Sequence, residues 1–129
     1  MPLAREHMSR RLLTVAPGDR LGEVAKRMVD RDVGAALVLE GGALAGILTE
    51  RDVLRAVAAG ISEATVVSDW MTRDPETMGP DEPTLHAAVL MIHGGFRHLP
   101  LVEGDEVVGV LSIRDLMRIV LDDAAPRGV

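Results

Sequence analysis

The sequence contains no cysteine and very few aromatic residues. Its 129 residues include one tryptophan, one phenylalanine and no tyrosine. The lack of cysteine excludes disulfides, thiolate nucleophiles and cysteine-ligated zinc. The scarcity of rings argues against a protein that binds nucleic acid by stacking on exposed bases. The 20 acidic residues also outnumber the 14 basic ones, and a net negative surface repels a phosphate backbone. We therefore expect no nucleic-acid partner.

Long hydrophobic runs are missing as well. No stretch approaches the roughly 18 apolar residues that a membrane-spanning helix needs, and residues 1–7 lack the apolar core of a secretory signal. Hydrophobic residues still make up 47% of the chain and charged residues 26%, which is the balance of a folded globular protein. We expect a cytoplasmic protein with no membrane partner.

The chain is an internal duplication. When it is shifted by 63 residues without gaps, its halves align with many identical pairs, among them Met8/Met71, Met28/Met91, Gly46/Gly109, Arg51/Arg114 and Asp52/Asp115. A single register kept along both halves is the signature of a tandem repeat. We predict repeat one at residues 5–66, repeat two at residues 67–122, and short tails at residues 1–4 and 123–129.

The hydrophobic pattern of each repeat predicts the order β-α-β-β-α. Apolar runs at residues 35–39 and 44–48, and again at 99–102 and 107–111, flank glycine-containing turns and indicate β-hairpins. A short extended piece and a helix precede each hairpin. A second helix follows each hairpin, at residues 51–59 and 114–122.

The helices that precede the hairpins have predicted apolar faces and predicted caps. The spacing of apolar residues selects Leu21, Val24, Ala25 and Met28 in repeat one and Leu85, Ala88, Val89 and Ile92 in repeat two. Acidic residues just before these helices are predicted N-caps, namely Asp19 in repeat one and Asp81 or Glu82 in repeat two.

A repeat of 63 residues buries too little apolar surface to be comfortably stable alone. We therefore expect an α/β fold in which two β-α-β-β-α repeats pack sheet to sheet about a pseudo-two-fold axis. Trp70, just before repeat two, is expected to pack where the repeats join.

The same short motif occurs once in each repeat, where a predicted strand runs into a predicted helix. It reads Gly-x-x-Thr/Ser-x-Arg-Asp, at residues 46–52 and 109–115. A helix N-terminus presents unpaired N–H groups and a partial positive charge, which stabilise a bound phosphate. The hydroxyls of Thr49 and Ser112 are candidate phosphate donors, and the carboxylates of Asp52 and Asp115 suit the two hydroxyls of a ribose. The glycines would let a ligand approach the strand closely.

Other interpretations of the motif stay open. A Thr or Ser followed three residues later by an acid is also a capping box, which stabilises a helix start and needs no ligand. Arg51 and Arg114 suit bidentate contacts to phosphate, but they equally suit salt bridges to neighbouring carboxylates.

The chain resembles the cystathionine-β-synthase (CBS) domain family, as a tandem pair. The resemblance covers residues 5 to 122 and rests on residues 69–72 (Asp-Trp-Met-Thr), residues 97–102 (Arg-His-Leu-Pro-Leu-Val) and the two Gly-x-x-Thr/Ser-x-Arg-Asp motifs. It implies two clefts that bind adenosine-containing ligands such as AMP, ADP, ATP or S-adenosylmethionine. Asp52 and Asp115 would bind ribose, Thr49 and Ser112 phosphate, and the backbone near Thr14, Ala36, Thr77 and Leu99 would frame the adenine. The resemblance also implies a homodimer, with the ends of the helices at residues 21–28 and 116–121 as contact faces.

The two repeats differ in one stretch next to the motif. Repeat one has Gly-Ala-Ala-Leu at residues 34–37, whereas repeat two has Arg97, His98, Leu99 and Pro100. Repeat one thus lacks the proline and two candidate phosphate partners. We hypothesise that the cleft with Asp115, Ser112, Arg97 and His98 prefers a charged nucleotide, and that the Asp52 cleft is weaker, empty or occupied by another molecule.

The leading hypothesis is a regulatory module that senses adenine nucleotides and acts in trans, on a protein target, or through its own oligomer. No residues form a nucleophile–base pair, so we expect neither an enzyme nor an obligatory cofactor. His86, His93 and His98 are expected at the surface or in a cleft rather than on a metal ion. The alternatives are a scaffold protein with vestigial clefts and a binder of S-adenosylmethionine.

Overall fold

The computed structural model describes residues 2–124. In chain order its elements are α1 (Ala4–His7), β1 (Thr14–Val15), α2 (Leu21–Arg31), β2 (Ala35–Glu40), β3 (Ala43–Thr49), α3 (Glu50–Ala59), a 3₁₀ turn (Val67–Asp69), β4 (Thr72–Arg73), α4 (Thr84–Gly94), β5 (His98–Glu103), β6 (Glu106–Ser112) and α5 (Ile113–Ala124). This order confirms the predicted α/β class, both hairpins and the helices around them. Residues 125–129 of the expected C-terminal tail lie outside the described residues.

The described chain forms two compact units. Unit I comprises residues 11–75 and 104–106, and unit II comprises residues 2–10, 76–103 and 107–124. Each unit is built on the hairpin and two helices of one repeat. Residues 2–10, which include the start of repeat one, nevertheless belong to unit II, and residues 67–75 at the start of repeat two belong to unit I. The leading segment of each repeat, residues 2–10 or residues 67–75, therefore belongs to the unit that the other repeat forms.

Unit I contains a four-stranded sheet in the order β1-β2-β3-β4. β1 runs parallel to β2, with Val15 opposite Val38, and β2 and β3 form an antiparallel hairpin. β4, which is part of the leading segment, pairs antiparallel with β3, with Thr72 opposite Ile47. Trp70 from the same segment packs against the hydrophobic core of this unit.

Unit II repeats this strand pairing in a shorter form. Its two-stranded sheet is the β5-β6 hairpin. Single bridges flank the hairpin, from Met78 to Leu101 in parallel and from Ser9 to Val110 in antiparallel. These bridges lie 63 positions away from the β1-β2 and β3-β4 pairs of unit I, so the same register governs both units.

Gly46 and Gly109 lie where the leading segments cross the hairpins. A Cβ atom added to Gly46 would lie 2.7 Å from the backbone oxygen of Thr72 and 2.8 Å from Sδ of Met71. On Gly109 it would clash with the side chain of Met8. The expectation that these glycines leave room for a ligand is therefore wrong, because the leading segment occupies the space.

The helix before each hairpin packs one face on its own unit. In α2 that face contains Leu21, Val24 and Met28, as predicted. The prediction for α4 is wrong for Leu85, Val89 and Ile92, and only Ala88 of the predicted face packs against the core. α4 buries Thr84, Ala87 and Met91, which are the counterparts of those three residues in the 63-residue register.

The error in α4 has a physical cause. Residues 84–94 contain no charged side chain apart from what histidine can carry, so hydrophobicity does not distinguish one helix face from another. The small side chain of Ala87 and the hydroxyl of Thr84, which donates to the carbonyl of Pro2 at 3.3 Å, fit the buried side. The larger side chains of Leu85, Val89 and Ile92 are exposed as a result.

No helix within residues 2–124 has the length and apolar character needed to span a bilayer.

The predicted N-caps Asp19, Asp81 and Glu82 do not cap helices. α2 begins after Arg20 and α4 after Pro83, both without a side-chain cap. Asp19 instead accepts a hydrogen bond from the amide of Ala16 at 2.9 Å, and Glu82 accepts one from the amide of Gly79 at 2.8 Å. These carboxylates close the turn that precedes the helix, one turn earlier than the sequence pattern suggested.

Asp81 binds the N-terminal segment. Its carboxylate accepts two hydrogen bonds from the guanidinium of Arg5, at 2.9 and 3.1 Å, and Glu103 accepts a third. These hydrogen bonds lower the pKa of Asp81 and raise the pKa of Arg5. Ala4 beside Arg5 is fully buried, so residues 2–10 are an integral part of unit II.

The stability of unit II is expected to fall on acidification partly through Glu82. The amide of Gly79, followed by His86 at 2.7 Å, lowers the pKa of the Glu82 carboxyl. A lowered folded-state pKa contributes stability above the unfolded value of about 4.3, and that contribution is lost as pH falls through the folded pKa. The contribution is no more than about 0.5 kcal/mol because solvent screens this half-exposed group. The free energy of unfolding, measured with denaturant between pH 7 and pH 3, should therefore fall less on acidification for Glu82→Gln than for the wild type.

The matched control is Glu76→Gln. Glu76 is exposed and makes no hydrogen bond within the described residues, so this variant should follow the wild-type pH profile. Equal acid profiles for Glu82→Gln and the wild type would contradict a role for the Gly79–Glu82 turn in acid stability.

Candidate functional site

A capping box forms at the start of α3. The carboxylate oxygen Oδ2 of Asp52 accepts hydrogen bonds from the amide of Thr49 at 2.9 Å and from its hydroxyl at 3.0 Å. The amide of Asp52 in turn donates to Oγ1 of Thr49 at 3.3 Å. The helix therefore uses the Thr–Asp pair for its own stability, as the capping interpretation of the sequence motif expected.

The start of α5 repeats this arrangement. Oδ2 of Asp115 accepts from the amide of Ser112 at 2.8 Å and from its hydroxyl at 2.9 Å, and the amide of Asp115 donates to Oγ of Ser112 at 3.1 Å. Both hydroxyls thus donate to a carboxylate of their own helix. A contact from Thr49 or Ser112 to a phosphate requires the hydroxyl to turn away from this carboxylate.

The second oxygen of each aspartate is not used by the cap. Asp52 is only 7% exposed, and its Oδ1 makes no hydrogen bond within residues 2–124. No buried side-chain polar atom of the described residues lacks a partner, so Oδ1 must be reachable by solvent. Oδ1 of Asp115 lies 3.9 Å from a guanidinium nitrogen of Arg118, which is too far for a hydrogen bond. In each site, therefore, one carboxylate oxygen is left outside the capping box.

The backbone amides at the two helix starts can be accounted for almost completely. A helix leaves four amides without an intrahelical partner. At α3 the amides of Thr49 and Asp52 belong to the capping box, and that of Glu50 donates to the carbonyl of Gly34 at 3.0 Å. This leaves the amide of Arg51, at the positive end of the helix. The same accounting at α5 leaves the amide of Arg114.

A backbone hydrogen bond places the start of each hairpin beside the start of the following helix. The amide of Ile113 donates to the carbonyl of Arg97 at 2.9 Å, as Glu50 does to Gly34. We call residues 34 and 49–52 the Asp52 site and residues 97 and 112–115 the Asp115 site. Arg97 and Arg114 are exposed and make no ion pair within the described residues. Arg51 likewise has no such ion pair, which leaves all three guanidinium groups available to an anion.

The remaining predicted site residues lie on strands or next to a strand bridge, each in the unit that holds its own site. In unit I, Thr14 is exposed and pairs with Leu37, next to the buried Ala36. In unit II, Thr77 is exposed next to Met78, whose amide donates to the carbonyl of Pro100 at 3.2 Å. Leu99 and Pro100 are buried, and His98 begins β5. Each unit therefore brings its own share of the predicted residues to one sheet, while their roles toward a ligand stay predictions.

The sequence motif did not single out Glu50 and Ile113. These residues occupy the same position of α3 and α5, immediately after the capping residue. Their difference was visible in the 63-residue alignment as a substitution of a carboxylate by an aliphatic side chain. The hydrogen bonds to Gly34 and Arg97 show that this position adjoins the other difference between the repeats.

The family model for the CBS domain matches residues 4–59 and 67–122. A relative from Bacillus subtilis, the CBS domain-containing protein YhcV, is 34% identical over 117 residues, which is 90% of this chain and 84% of that protein. The chain spans between 19% and 69% of the length of the first curated relatives that it matches.

Solved structures of similar fold agree with this match. The CBS domain pair of protein MJ0100, crystallised with 5′-methylthioadenosine and S-adenosyl-L-methionine, has a TM-score of 0.87 and 25% identity over 95% of this chain and 98% of its own. The CBS-domain containing protein ATU1752 from Agrobacterium tumefaciens has a TM-score of 0.85 and 30% identity, over 92% of this chain and 99% of its own. The chain therefore belongs to the CBS domain family and carries that domain twice in tandem.

Proposed function

We propose that this CBS pair is a regulatory module that binds adenosine-containing ligands at the Asp52 and Asp115 sites and passes the signal on in trans or through its own oligomer. The ligand class follows from the site chemistry and is that of the MJ0100 pair, which was crystallised with 5′-methylthioadenosine and S-adenosyl-L-methionine. A ligand regulates only if it binds one arrangement of the protein better than another. No step of the proposal requires catalysis.

The observation that carries the proposal is that the two oxygens of each aspartate carboxylate are used differently. In Asp115 and Asp52 one oxygen is held by the cap and the other is unused. The cap fixes the side-chain rotamer, so the unused oxygen is already oriented before a ligand arrives. An ionised acceptor of this kind forms strong hydrogen bonds with hydroxyl donors such as those of a ribose.

We propose that the Asp115 site takes a negatively charged nucleotide. The amide of Arg114 lies at the positive end of α5, and the Ile113–Arg97 backbone hydrogen bond brings the exposed Arg97 next to it. His98 follows Arg97 on β5. A 5′-phosphate placed there would be stabilised by charge and by hydrogen bonds. The adenine would be framed by the backbone of Thr77, Leu99 and Pro100 here, and by that of Thr14 and Ala36 in unit I.

A thermal-shift panel of AMP, ADP, ATP, NAD and S-adenosylmethionine tests the proposed function. A ligand that binds the folded state alone, at 100 times its Kd, stabilises the protein by about 2.7 kcal/mol. We expect a concentration-dependent rise in Tm with at least one adenine nucleotide. No rise with any adenosine compound at millimolar concentration would contradict the proposal.

We also propose that a second copy of the chain covers the outer faces of α4 and α5. Leu85, Val89 and Ile92 on α4 are exposed, as are Met117, Val120 and Leu121 on α5, and the two helices pack side by side. α4 has no acidic, lysine or arginine side chain, so two copies of it can meet across a two-fold axis without charge repulsion. The other expected contact helix, α2, is less suited to an apolar contact, because its exposed positions include the charged residues Glu23, Lys26 and Arg27.

Ile92→Glu is expected to convert the dimer into a monomer. Two carboxylates would be buried near the two-fold axis, at a cost well above that of losing one apolar contact. Val29→Glu is the matched control, because Val29 is the counterpart of Ile92 on α2 and is equally exposed, at 79% against 76%. Light scattering after gel filtration should report a monomer for the first variant and a dimer for the second. A dimer in both would place the interface elsewhere.

The same apolar surface favours the second candidate function, a scaffold that docks a partner and binds no nucleotide. The two functions make opposite predictions in the thermal-shift panel. A protein that stays dimeric but shows no ligand-dependent rise in Tm would support the scaffold.

A further inference from the structure

We infer that the Asp52 site binds an adenosine-type nucleoside whose 5′ substituent is neutral or positively charged, rather than a nucleoside phosphate. The inference rests on the proposed function, because it assigns a ligand class to one of the two sites proposed above. It goes further by giving the two sites different ligands.

The charge beside the two helix starts is the first reason. In the Asp52 site the carboxylates of Glu50 and Asp52 both lie in the first turn of α3. In the Asp115 site only Asp115 is acidic in the first turn of α5. Two carboxylates offset the positive end of the helix, so the local field that attracts a phosphate at α5 is weakened or reversed at α3.

The neighbouring hairpin end adds to the same difference. The amide of residue 113 donates to the carbonyl of Arg97, and the amide of residue 50 donates to the carbonyl of Gly34. These equivalent hydrogen bonds put residues 97 and 34 at the same place relative to the helix start. The Asp115 site therefore has one more arginine and one fewer glutamate than the Asp52 site. The formal charge is −1 at the Asp52 site, from Arg51, Glu50 and Asp52. It is +1 at the Asp115 site, from Arg97, Arg114 and Asp115.

The Asp52 site nevertheless retains the carboxylate that would bind the nucleoside part of a ligand. Asp52 is more than nine-tenths buried, and its Oδ1 has no hydrogen-bond partner within the described residues although solvent reaches it. An ionised carboxylate oxygen that solvent reaches can exchange its water for a donor on a ligand, and a ribose hydroxyl supplies such a donor. What the site lacks, compared with the Asp115 site, is the positive charge for the group attached to the ribose.

A series of three compounds that differ in charge at the 5′ position tests this inference. The compounds are adenosine, which is neutral, AMP, which is anionic, and 5′-amino-5′-deoxyadenosine, which is cationic. Calorimetry on Asp115→Asn protein reports the Asp52 site alone, and calorimetry on Asp52→Asn protein reports the Asp115 site alone. We expect the Asp52 site to bind adenosine and the amine at least 10-fold more tightly than AMP. The Asp115 site should show the reverse order, with AMP binding that weakens as salt is raised.

Exchange of the exposed helix residues provides the second measurement. Glu50→Ile in the Asp115→Asn background should move the preference of the remaining site toward AMP, and Ile113→Glu in the Asp52→Asn background should move it away. Equal ratios of AMP to adenosine affinity at the two sites, unchanged by either exchange, would overturn the inference and leave the proposed function intact. Absence of binding heat for all three compounds in wild-type protein, together with no rise in Tm across the thermal-shift panel, would instead overturn the proposed function.

Discussion

Gly46→Ala is expected to destabilise the protein by about 2–3 kcal/mol, which is the upper part of the range for overpacking a well-filled interior. The new Cβ atom would lie 2.7 Å from the backbone oxygen of Thr72 and 2.8 Å from Sδ of Met71. A methionine side chain can move, but the Thr72 oxygen is fixed because β4 is paired with β3. Relief therefore requires β4 to shift off the sheet. Denaturant unfolding followed by far-ultraviolet circular dichroism measures the loss.

Gly109→Ala provides a graded comparison with Gly46→Ala. The three atoms nearest to the new Cβ atom on Gly109 all belong to the side chain of Met8 and none to the backbone, so we expect a smaller loss of about 1–2 kcal/mol. Combining Gly109→Ala with Met8→Ala should give less than the sum of the single losses, by about 1 kcal/mol. Combining Gly46→Ala with Met71→Ala should remain nearly additive, since the clash with Thr72 persists.

Gly22→Ala is the control for the effect of glycine replacement itself. Gly22 lies in α2, with nothing within 4 Å of its added Cβ. Alanine there should stabilise the protein by about 0.5 kcal/mol through helix propensity. A loss of stability in Gly22→Ala as large as that in Gly46→Ala would contradict the packing role of the leading segments.

Asp115→Asn is expected to weaken AMP binding about 10- to 100-fold while leaving the protein folded. The amide oxygen of Asn can replace Oδ2 as the acceptor for the amide and hydroxyl of Ser112. Its NH₂ group then takes the place of Oδ1 and presents a donor where the ribose hydroxyls need an acceptor. Loss of a hydrogen bond to a charged group is worth about 1.5–3 kcal/mol, and each 1.4 kcal/mol is about tenfold in affinity. Isothermal titration with AMP measures this change.

The comparison with Ser112→Ala separates the cap from the ligand contact. Ser112→Ala removes the cap acceptor for the amide of Asp115, which should cost about 1 kcal/mol of stability. It leaves the carboxylate in place, so the affinity for AMP should fall by less than in Asp115→Asn. Unchanged affinity in Asp115→Asn would show that this carboxylate has no part in binding the nucleotide.

The repeat made much of the fold predictable from the sequence. The hairpins at 35–49 and 98–112 and the helices that follow them were indicated by apolar runs around glycine turns, and α2 by the spacing of Leu21, Val24 and Met28. The face of α4 was not predictable from hydrophobicity, because this helix is apolar on most sides. The 63-residue register would have identified it, since Thr84 aligns with Leu21.

The role of the leading segments could not be predicted from local pattern. Residues 2–10 and 67–75 are short and contain few apolar residues, and their partners lie far away in sequence. The leading segments pack against Gly46 and Gly109, where a Cβ atom would clash with them. In a sequence, however, a glycine that accommodates a ligand looks the same as one that accommodates a methionine. Only the position of Met71 and Met8 against the hairpins distinguishes the two.

The residue types of the site could be predicted from the sequence, but the separate roles of the two carboxylate oxygens could not. The Thr–Asp and Ser–Asp pairs were identified from their spacing, and both the cap and an unused carboxylate oxygen are present. The sequence alone presented these as competing interpretations. The structure makes them compatible, because each carboxylate has two oxygens and the cap uses Oδ2 only.

A crystal structure of the protein grown with AMP tests the central claim most directly, which is that these aspartates bind ribose. We expect AMP at the Asp115 site, with its ribose hydroxyls within hydrogen-bond distance of Oδ1 of Asp115. Its phosphate should lie against the amide of Arg114 and the guanidinium of Arg97. AMP bound elsewhere in the protein, or an Asp115 site that remains empty at saturating AMP, would contradict the account.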